Sequence, residues 1–482
     1  MKPVVVVGFA ALVALIAAIV WWLKLEPGPP TIEITNAADV VGRTAAWDVV
    51  VRTTGHPGLR RIAARLQAGG NSYPLLSEEL PADPRVTERR VHIETDLAAA
   101  GVPQGPARFE IAAESRAWHL GSGPRGTIAT RDLTVDTVPP RIDLLTTQHN
   151  MRLGGVSLAL FRLDPDAVDA QVAVGDYVFP AVRGYFADPA VALALFAVPQ
   201  NLSADARPVV RAQDAAGNRQ EVALSVLIKD RTFPERQLQI DDAFLQRKVP
   251  EILGAMQRPV PSDLKAGYLA INRDLRRESE ERLRAATATS ADHPLWTGAF
   301  RRQSNAAPMS AFADRRSYLY AGELIDQQTH LGYDLASLKN AAVEATQNGV
   351  VVYADYLGIY GNTVVLDHGL GVFSLYGHLS TISVRRGQEV HAGDSLGQTG
   401  DTGLAAGDHL HFSIMLRGTH VDPVEWWDPL WMRDHVSARL SSLPPKVPAA
   451  PAEPAPGDVA PAAPAPATPQ LADPVAHGEA QP

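Results

Sequence analysis

The run Asp408-His409-Leu410-His411-Phe412-Ser413-Ile414-Met415 carries two imidazoles one residue apart in a segment of strand character. Side chains alternate faces along a strand, so His409 and His411 project together while Leu410, Phe412 and Ile414 point into a core. Two imidazoles on one face form the corner of a metal site. Upstream, His330 and Asp334 share a face whether their segment is helical or extended. With one histidine of the 409–411 pair they supply three ligands of N,O,N type. The fourth position then stays with water, the layout of a catalytic rather than a structural zinc. Imidazole and carboxylate also accept other divalent metals, so zinc is a preference among them. His378, in Leu375-Tyr376-Gly377-His378-Leu379, is a further histidine placed for chemistry. Metal-assisted hydrolysis is the reaction such a set supports.

These side chains need a rigid frame, and the surrounding sequence has the marks of one. Val350-Val351-Val352-Tyr353, Thr363-Val364-Val365-Leu366 and Phe373-Ser374-Leu375-Tyr376 are short apolar runs punctuated by glycines, as in a compact β domain with tight turns. Other polar residues there have structural readings. His368 is expected to support the fold, and His391 and His420 to lie at the surface. Arg315 and Arg316 are expected to form structural salt bridges, with a substrate carboxylate as the alternative partner. Ser262-Asp263-Leu264-Lys265 spells Ser-x-x-Lys, but no Ser-Asp-Asn or Lys-Thr-Gly partner motif accompanies it.

With 482 residues, the chain is too long for one ordinary core, and a multidomain, mainly β protein is expected. A net charge of −9 provides no basic surface for nucleic acid, so none is expected as a partner. Cysteine is absent, which rules out disulfides and Cys-ligated zinc and fits an oxidising compartment. Val4 to Leu23 is an uninterrupted apolar run, long enough at about 1.5 Å per residue to cross a hydrocarbon core of roughly 30 Å. Trp21 and Trp22 stand where an interfacial belt would lie, and no small-x-small cleavage site follows. Residues 1–30 are therefore read as a transmembrane signal anchor, helix 4–23, with a stiff Pro-rich linker. This makes the protein single-pass in the cytoplasmic membrane, with the bulk of the chain on the periplasmic, extracytoplasmic side.

Beyond the anchor, residues 31–137 alternate in short runs and predict a β-sandwich module. Residues 138–230 predict a second β module, opening after Thr137-Val138-Pro139-Pro140 and closing on the hairpin signal around Gly217-Asn218. The second module resembles bacterial immunoglobulin-like modules, and the first does so more weakly. Both are expected to act as spacers or as surfaces for envelope protein partners. Residues 231–300 change period and predict a helical connector. In it, Glu278 with Arg282 and Glu280 with Arg284 have the i,i+4 order on a solvated face. Residues 440–482 are Pro/Ala-rich and predict a disordered tail.

His330-x-x-x-Asp334, Tyr376-Gly377-His378-Leu379 and Gly407-Asp408-His409-Leu410-His411-Phe412 together resemble the lysostaphin-like (LytM-type) zinc metallopeptidases. Gly361-Asn362-Thr363-Val364-Val365-Leu366-Asp367-His368-Gly369 and Val421-Asp422-Pro423 match as well, and the likeness covers about residues 309–428. It implies an antiparallel β peptidase domain over 301–432 that binds one Zn2+ through His330, Asp334 and His411. His378 and His409 would be its catalytic histidines. It also implies a zinc metalloendopeptidase that hydrolyses peptide cross-links of peptidoglycan. The alternative is a non-catalytic wall-binding regulator or activator of other wall hydrolases, since some relatives have lost zinc ligands. All five key positions are intact here. The chain has no His-Glu-x-x-His, so a glutamate base of that kind is not provided.

Overall fold

The computed structural model describes residues 3–24, 29–36, 38–53, 58–83, 87–116 and 126–446. Helix α1 spans Pro3–Lys24, and within it side chains are described for residues 8–19. Phe9, Leu12, Val13, Leu15, Ile16 and Ile19 are exposed there. Among the described residues no helix is long and apolar enough to cross a membrane. The expectation for residues 4–23 as a whole extends outside the described side chains, and part of the 26–30 linker lies outside the described residues.

Residues 31–135 form two sheets. One holds Thr31–Ile34, Thr44–Arg52 and Glu88–Asp96; the other holds five strands centred on Gly105–Ser115. Alternation along Thr44–Arg52 buries Trp47, Val49 and Val51, and Trp47 stacks on Phe109 of the second sheet with centroids 4.7 Å apart. Residues 142–229 form two four-stranded antiparallel sheets, with His149–Arg152 pairing parallel to Val226–Lys229. Val209–Asp214 and Arg219–Ala223 make the hairpin the sequence predicts, turning through Gly217 at φ +84°.

The segment expected to be a helical connector begins as a strand, β1 (Glu235–Ile240), before α2 (Asp242–Ala255), α3 (Leu264–Ala270) and α4 (Arg276–Ala286). Asp241 and Asp263 cap α2 and α3 by accepting from the backbone N–H of Phe244 and Ala266. The expected i,i+4 pairs on α4 do not form as read. Glu278 instead pairs with Arg258, and Glu280 accepts from Tyr360 Oη at 2.7 Å and faces His420 Nε2 at 3.1 Å. For Glu280, burial removes the water that would otherwise compete, so tertiary partners win over helical neighbours, while Glu278 stays partly exposed in its pair with Arg258. His420 is thus buried, not at the surface, whereas His391 is exposed.

The strands that frame the site are β2 (Ala307–Ser310), β3 (Asp314–Tyr320), β4 (Glu323–His330), β5 (Tyr333–Ala336), β6 (Gly349–Tyr356), β7 (Asn362–Asp367), β8 (Val372–Leu379), β9 (Glu389–Val390), β10 (Leu410–Leu416) and β11 (Thr419–Val421); Ala342–Glu344, Thr381–Ile382 and Ser395–Gln398 form a separate small sheet. An antiparallel sheet runs β2-β5-β10-β8-β7-β6-β9, with β11 against β10. A smaller sheet runs β1-β3-β4, in which β1 pairs parallel to β3. The main sheet is covered on both faces. Leu410, Phe412 and Ile414 join a hydrophobic cluster shared with residues 142–233, while Met415 packs with the α2–α4 cluster. Val191–Ala197 of the second β region is buried along its whole length in that shared core. The chain stays attached beyond residue 440: Ala187 N–H donates to Pro444 O, and Pro445 bridges Phe186. From residue 447 onward the expected tail lies outside the described residues.

Candidate metal centre

Strand register explains why residues distant in sequence meet. Asp334 on β5 lies directly opposite His411 on β10, and His411 lies opposite Gly377, the neighbour of His378, on β8. His330 closes β4, and the chain turns through Leu331–Gly332 into β5, so His330 and Asp334 sit on consecutive strands rather than on one element. Glycine is required in that turn, because a Cβ at 332 would lie 2.4 Å from the His411 ring. The structure brings all five expected residues together, each 7% exposed or less.

Three ligand atoms converge. His330 Nε2 is 2.9 Å from Asp334 Oδ1 and 3.0 Å from His411 Nδ1, and His411 Nδ1 is 3.1 Å from Asp334 Oδ1. The proton positions follow from the outer partners. His330 Nδ1 faces the Ala311 carbonyl at 3.0 Å, which can only accept, so Nδ1 carries the proton and Nε2 presents a lone pair. Ser413 Oγ donates to Leu331 O and therefore accepts from His411 Nε2–H at 3.1 Å, which leaves His411 Nδ1 as a lone pair. Two imidazole lone pairs and a carboxylate oxygen thus face one another with no proton between them. A divalent cation satisfies such a set, and the N,O,N donors fit zinc. His330, Asp334 and His411 are the residues that would hold it.

His409 and His378 stand beside this group. His409 Nδ1 donates to Gly407 O at 2.8 Å, and its Nε2 lies 3.5 Å from Asp334 Oδ1. His378 Nδ1 donates to Thr402 O at 2.8 Å, and the two rings are 4.8 Å apart. Both therefore present Nε2 toward the centre. His378 adopts φ +63°, an uncommon backbone for a non-glycine residue, held where Gly400 packs against its carbonyl.

Environment separates the titrating groups. Burial, with His409 and His411 as neighbours, holds His378 well below the usual imidazole range. Burial also lowers His409, but the hydrogen bond and charge of Asp334 outweigh it and the net shift is upward. Burial brings His411 down to about 4. Burial would raise Asp334, yet the positive charge His330 takes on when protonated, and the hydrogen bonds His330, His409 and His411 then give it, outweigh burial and keep it well below the carboxylate range.

Arg316 Nη2 donates to Asp334 Oδ2 at 2.8 Å, the salt bridge expected of it, while Arg315 reaches Glu235 at 3.8 Å. His368 is a fold residue as expected, bonded to Asn348 O and Ser374 Oγ. Above the centre lies a cavity of about 280 Å³. Its walls include Leu238 and Ile240 of β1, Phe244 of α2 and Tyr268 of α3, a cover that no pattern in the sequence marks. Ser413 was legible in principle, two residues past His411 on the same face. The carbonyls of Ala311, Thr402 and Gly407 were not, because every residue has one.

Residues 328–423 match the family model Peptidase family M23, so the C-terminal part of the chain carries a domain of that kind. The DD-carboxypeptidase/endopeptidase Mpg of Neisseria meningitidis serogroup B is 39% identical over 95 residues, which cover 20% of this chain and 22% of the relative. The murein hydrolase activator NlpD of Escherichia coli is 40% identical over 96 residues, 20% of this chain and 25% of the relative. The chain thus spans a quarter or less of the length of these curated relatives. The catalytic domain of the antimicrobial peptidase lysostaphin from Staphylococcus simulans aligns at 27% identity, with 26% of this chain, 92% of that chain and a TM-score of 0.23.

Proposed function

We propose, with an M23 peptidase domain at residues 328–423 as premise, that this protein is a zinc metalloendopeptidase that hydrolyses peptide cross-links of peptidoglycan. The observation that carries the reading is the convergence of His330 Nε2, Asp334 Oδ1 and His411 Nδ1, with His378 and His409 beside them. Zinc bound there supplies Lewis acidity to water and to a carbonyl oxygen. His330 and His411 are oriented by Ala311 O and Ser413 Oγ, and Asp334 by Arg316. Of His378 and His409, one takes the proton of the attacking water and the other donates to the leaving amine or the developing oxyanion. Both act through Nε2, since their Nδ1 atoms are committed to backbone carbonyls. The apolar walls of the cavity keep bulk water from the reacting groups.

In this reading the Val4–Leu23 run anchors the chain in the cytoplasmic membrane and the β regions stand on the periplasmic side as immunoglobulin-like spacers or docking surfaces. A second reading, a non-catalytic activator of other wall hydrolases, draws support from the depth of the centre beneath β1 and α2 and from the likeness to NlpD. Purified sacculi incubated with the zinc-loaded full-length chain distinguish the two. New peptide ends, absent with His409→Ala, are the expected result. No new ends would favour the activator, and undiminished release by His409→Ala would overturn the catalytic role given to His409.

A further inference from the structure

We infer that Arg316 is a positioning residue for the metal ligand Asp334, and that β1, outside the family-matched segment, supports it through Arg236. The inference rests on the zinc reading above. Asp334 has two oxygens with different tasks. Oδ1 faces His330, His411 and His409, whereas Oδ2 accepts from Arg316 Nη2 at 2.8 Å. With Oδ2 held by a guanidinium, the carboxylate offers the centre one oxygen rather than two.

The Arg316 side chain is itself held. Its Nη2 also donates to Ser310 Oγ at 2.8 Å, and Ser310 Oγ–H donates to Asp314 Oδ2. Arg236 Nε approaches the same Asp314 oxygen at 3.1 Å. Strand register builds this chain of contacts. Ser310 lies opposite Asp334, Asp314 opposite His330, and Arg236 opposite Arg316. Charges alternate along it, from Arg236 to Asp314 and, through Ser310, to Arg316 and Asp334. Asp314 is fully buried and the Arg316 side chain is 19% exposed, so low dielectric strengthens the inner contacts, whereas the Arg236 side chain is 48% exposed and its contact is the most screened. Arg236, Ser310, Asp314 and Arg316 all precede residue 328, so the matched segment alone contains the ligands without the groups that aim Asp334.

Competition of the full-length chain with a chromogenic chelator for zinc tests this. Loss of an outer partner of a ligand weakens metal binding by about 10- to 100-fold, the change expected for Arg316→Met. Arg316→Lys, which restores a cationic donor to Oδ2, should recover much of it. Arg236→Met should show a smaller loss in the same direction. Cobalt(II) substitution provides a reading that a merely structural role would leave unmoved. In Arg316→Met the released Oδ2 adds to the coordination, and the visible bands weaken as the coordination number rises. Zinc affinity within about 2-fold of the parent together with an unchanged cobalt spectrum overturns the inference. If Arg316→Met does not fold, Ser310→Ala and Arg236→Met carry the test, and unchanged affinity in both overturns it. A parent chain that binds no zinc sinks the zinc reading itself, and this inference with it.

Discussion

His330 and His411 each commit one ring nitrogen to the protein and keep the other for the centre, and the division is fixed by what the outer partner can accept. Removing His411 deletes a converging lone pair, whereas removing His409 deletes a ring that only stands beside the group. Purified His411→Ala should therefore lose most of its zinc and His409→Ala should retain it, as read by metal content after dialysis. Peptide cleavage by His409→Ala should fall by about 10²- to 10⁴-fold, the usual worth of a positioned acid or base. The types and spacing of these side chains were legible in the sequence, because alternation places His409 and His411 on one face and metal ligands need imidazole or carboxylate. What orients them was not. Ala311, Gly407 and Thr402 act through backbone carbonyls, and no side-chain pattern marks which carbonyl will face a ring.

At the scale of elements, α4 shows how tertiary burial overrides a local pattern. Its Glu-Arg spacing reads as a solvated helix face, yet the Glu280 side chain is only 15% exposed, between Tyr360 and His420. Burial alone would raise its carboxyl, but the charge of His420 and the hydrogen bonds from His420 and Tyr360 bring it to about 2. A carboxyl lowered in the folded state contributes stability that is present above its unfolded value and lost as pH falls through the folded one. Thermal unfolding should therefore show stability declining from about pH 4.5 toward about pH 2, with that part of the decline missing in Glu280→Gln. An unchanged acid limb in the variant would count against the buried contact. The strand β1 was missed for a related reason. Glu235-Arg236-Gln237-Leu238-Gln239-Ile240 is short and mostly polar, and only its parallel partner β3 makes it a strand.

At the scale of the whole molecule, the second β region and the peptidase sheet share one hydrophobic cluster, so the former is more than a loose spacer. The Pro-Pro break before residue 141 is visible in the sequence, but which distant faces meet is not, because periodicity reports that a face is apolar and not what covers it. The Glu425 carboxyl sits at this junction and accepts from Val156 N–H at 2.9 Å, while Asp422 N–H donates to Gly154 O. Desolvation there pushes Glu425 up to about 8. Below about pH 4.5 the folded and unfolded chains both hold this proton; between about 4.5 and about 8 only the folded chain does, and above that neither does. Stability should fall as pH rises across that window, and Glu425→Gln should flatten the fall in calorimetric melts. The parallel pairing of β1 with β3 also sets an order in time. A parallel pair cannot close through a tight turn, so β1 is made first and must wait for α2–α4 before its partner emerges. Until then Arg236 has no Asp314 to hold, and Asp334 and His411 come later still. The centre is complete only when most of the chain has been synthesised, so an unfinished copy has no assembled site in which to hold a metal.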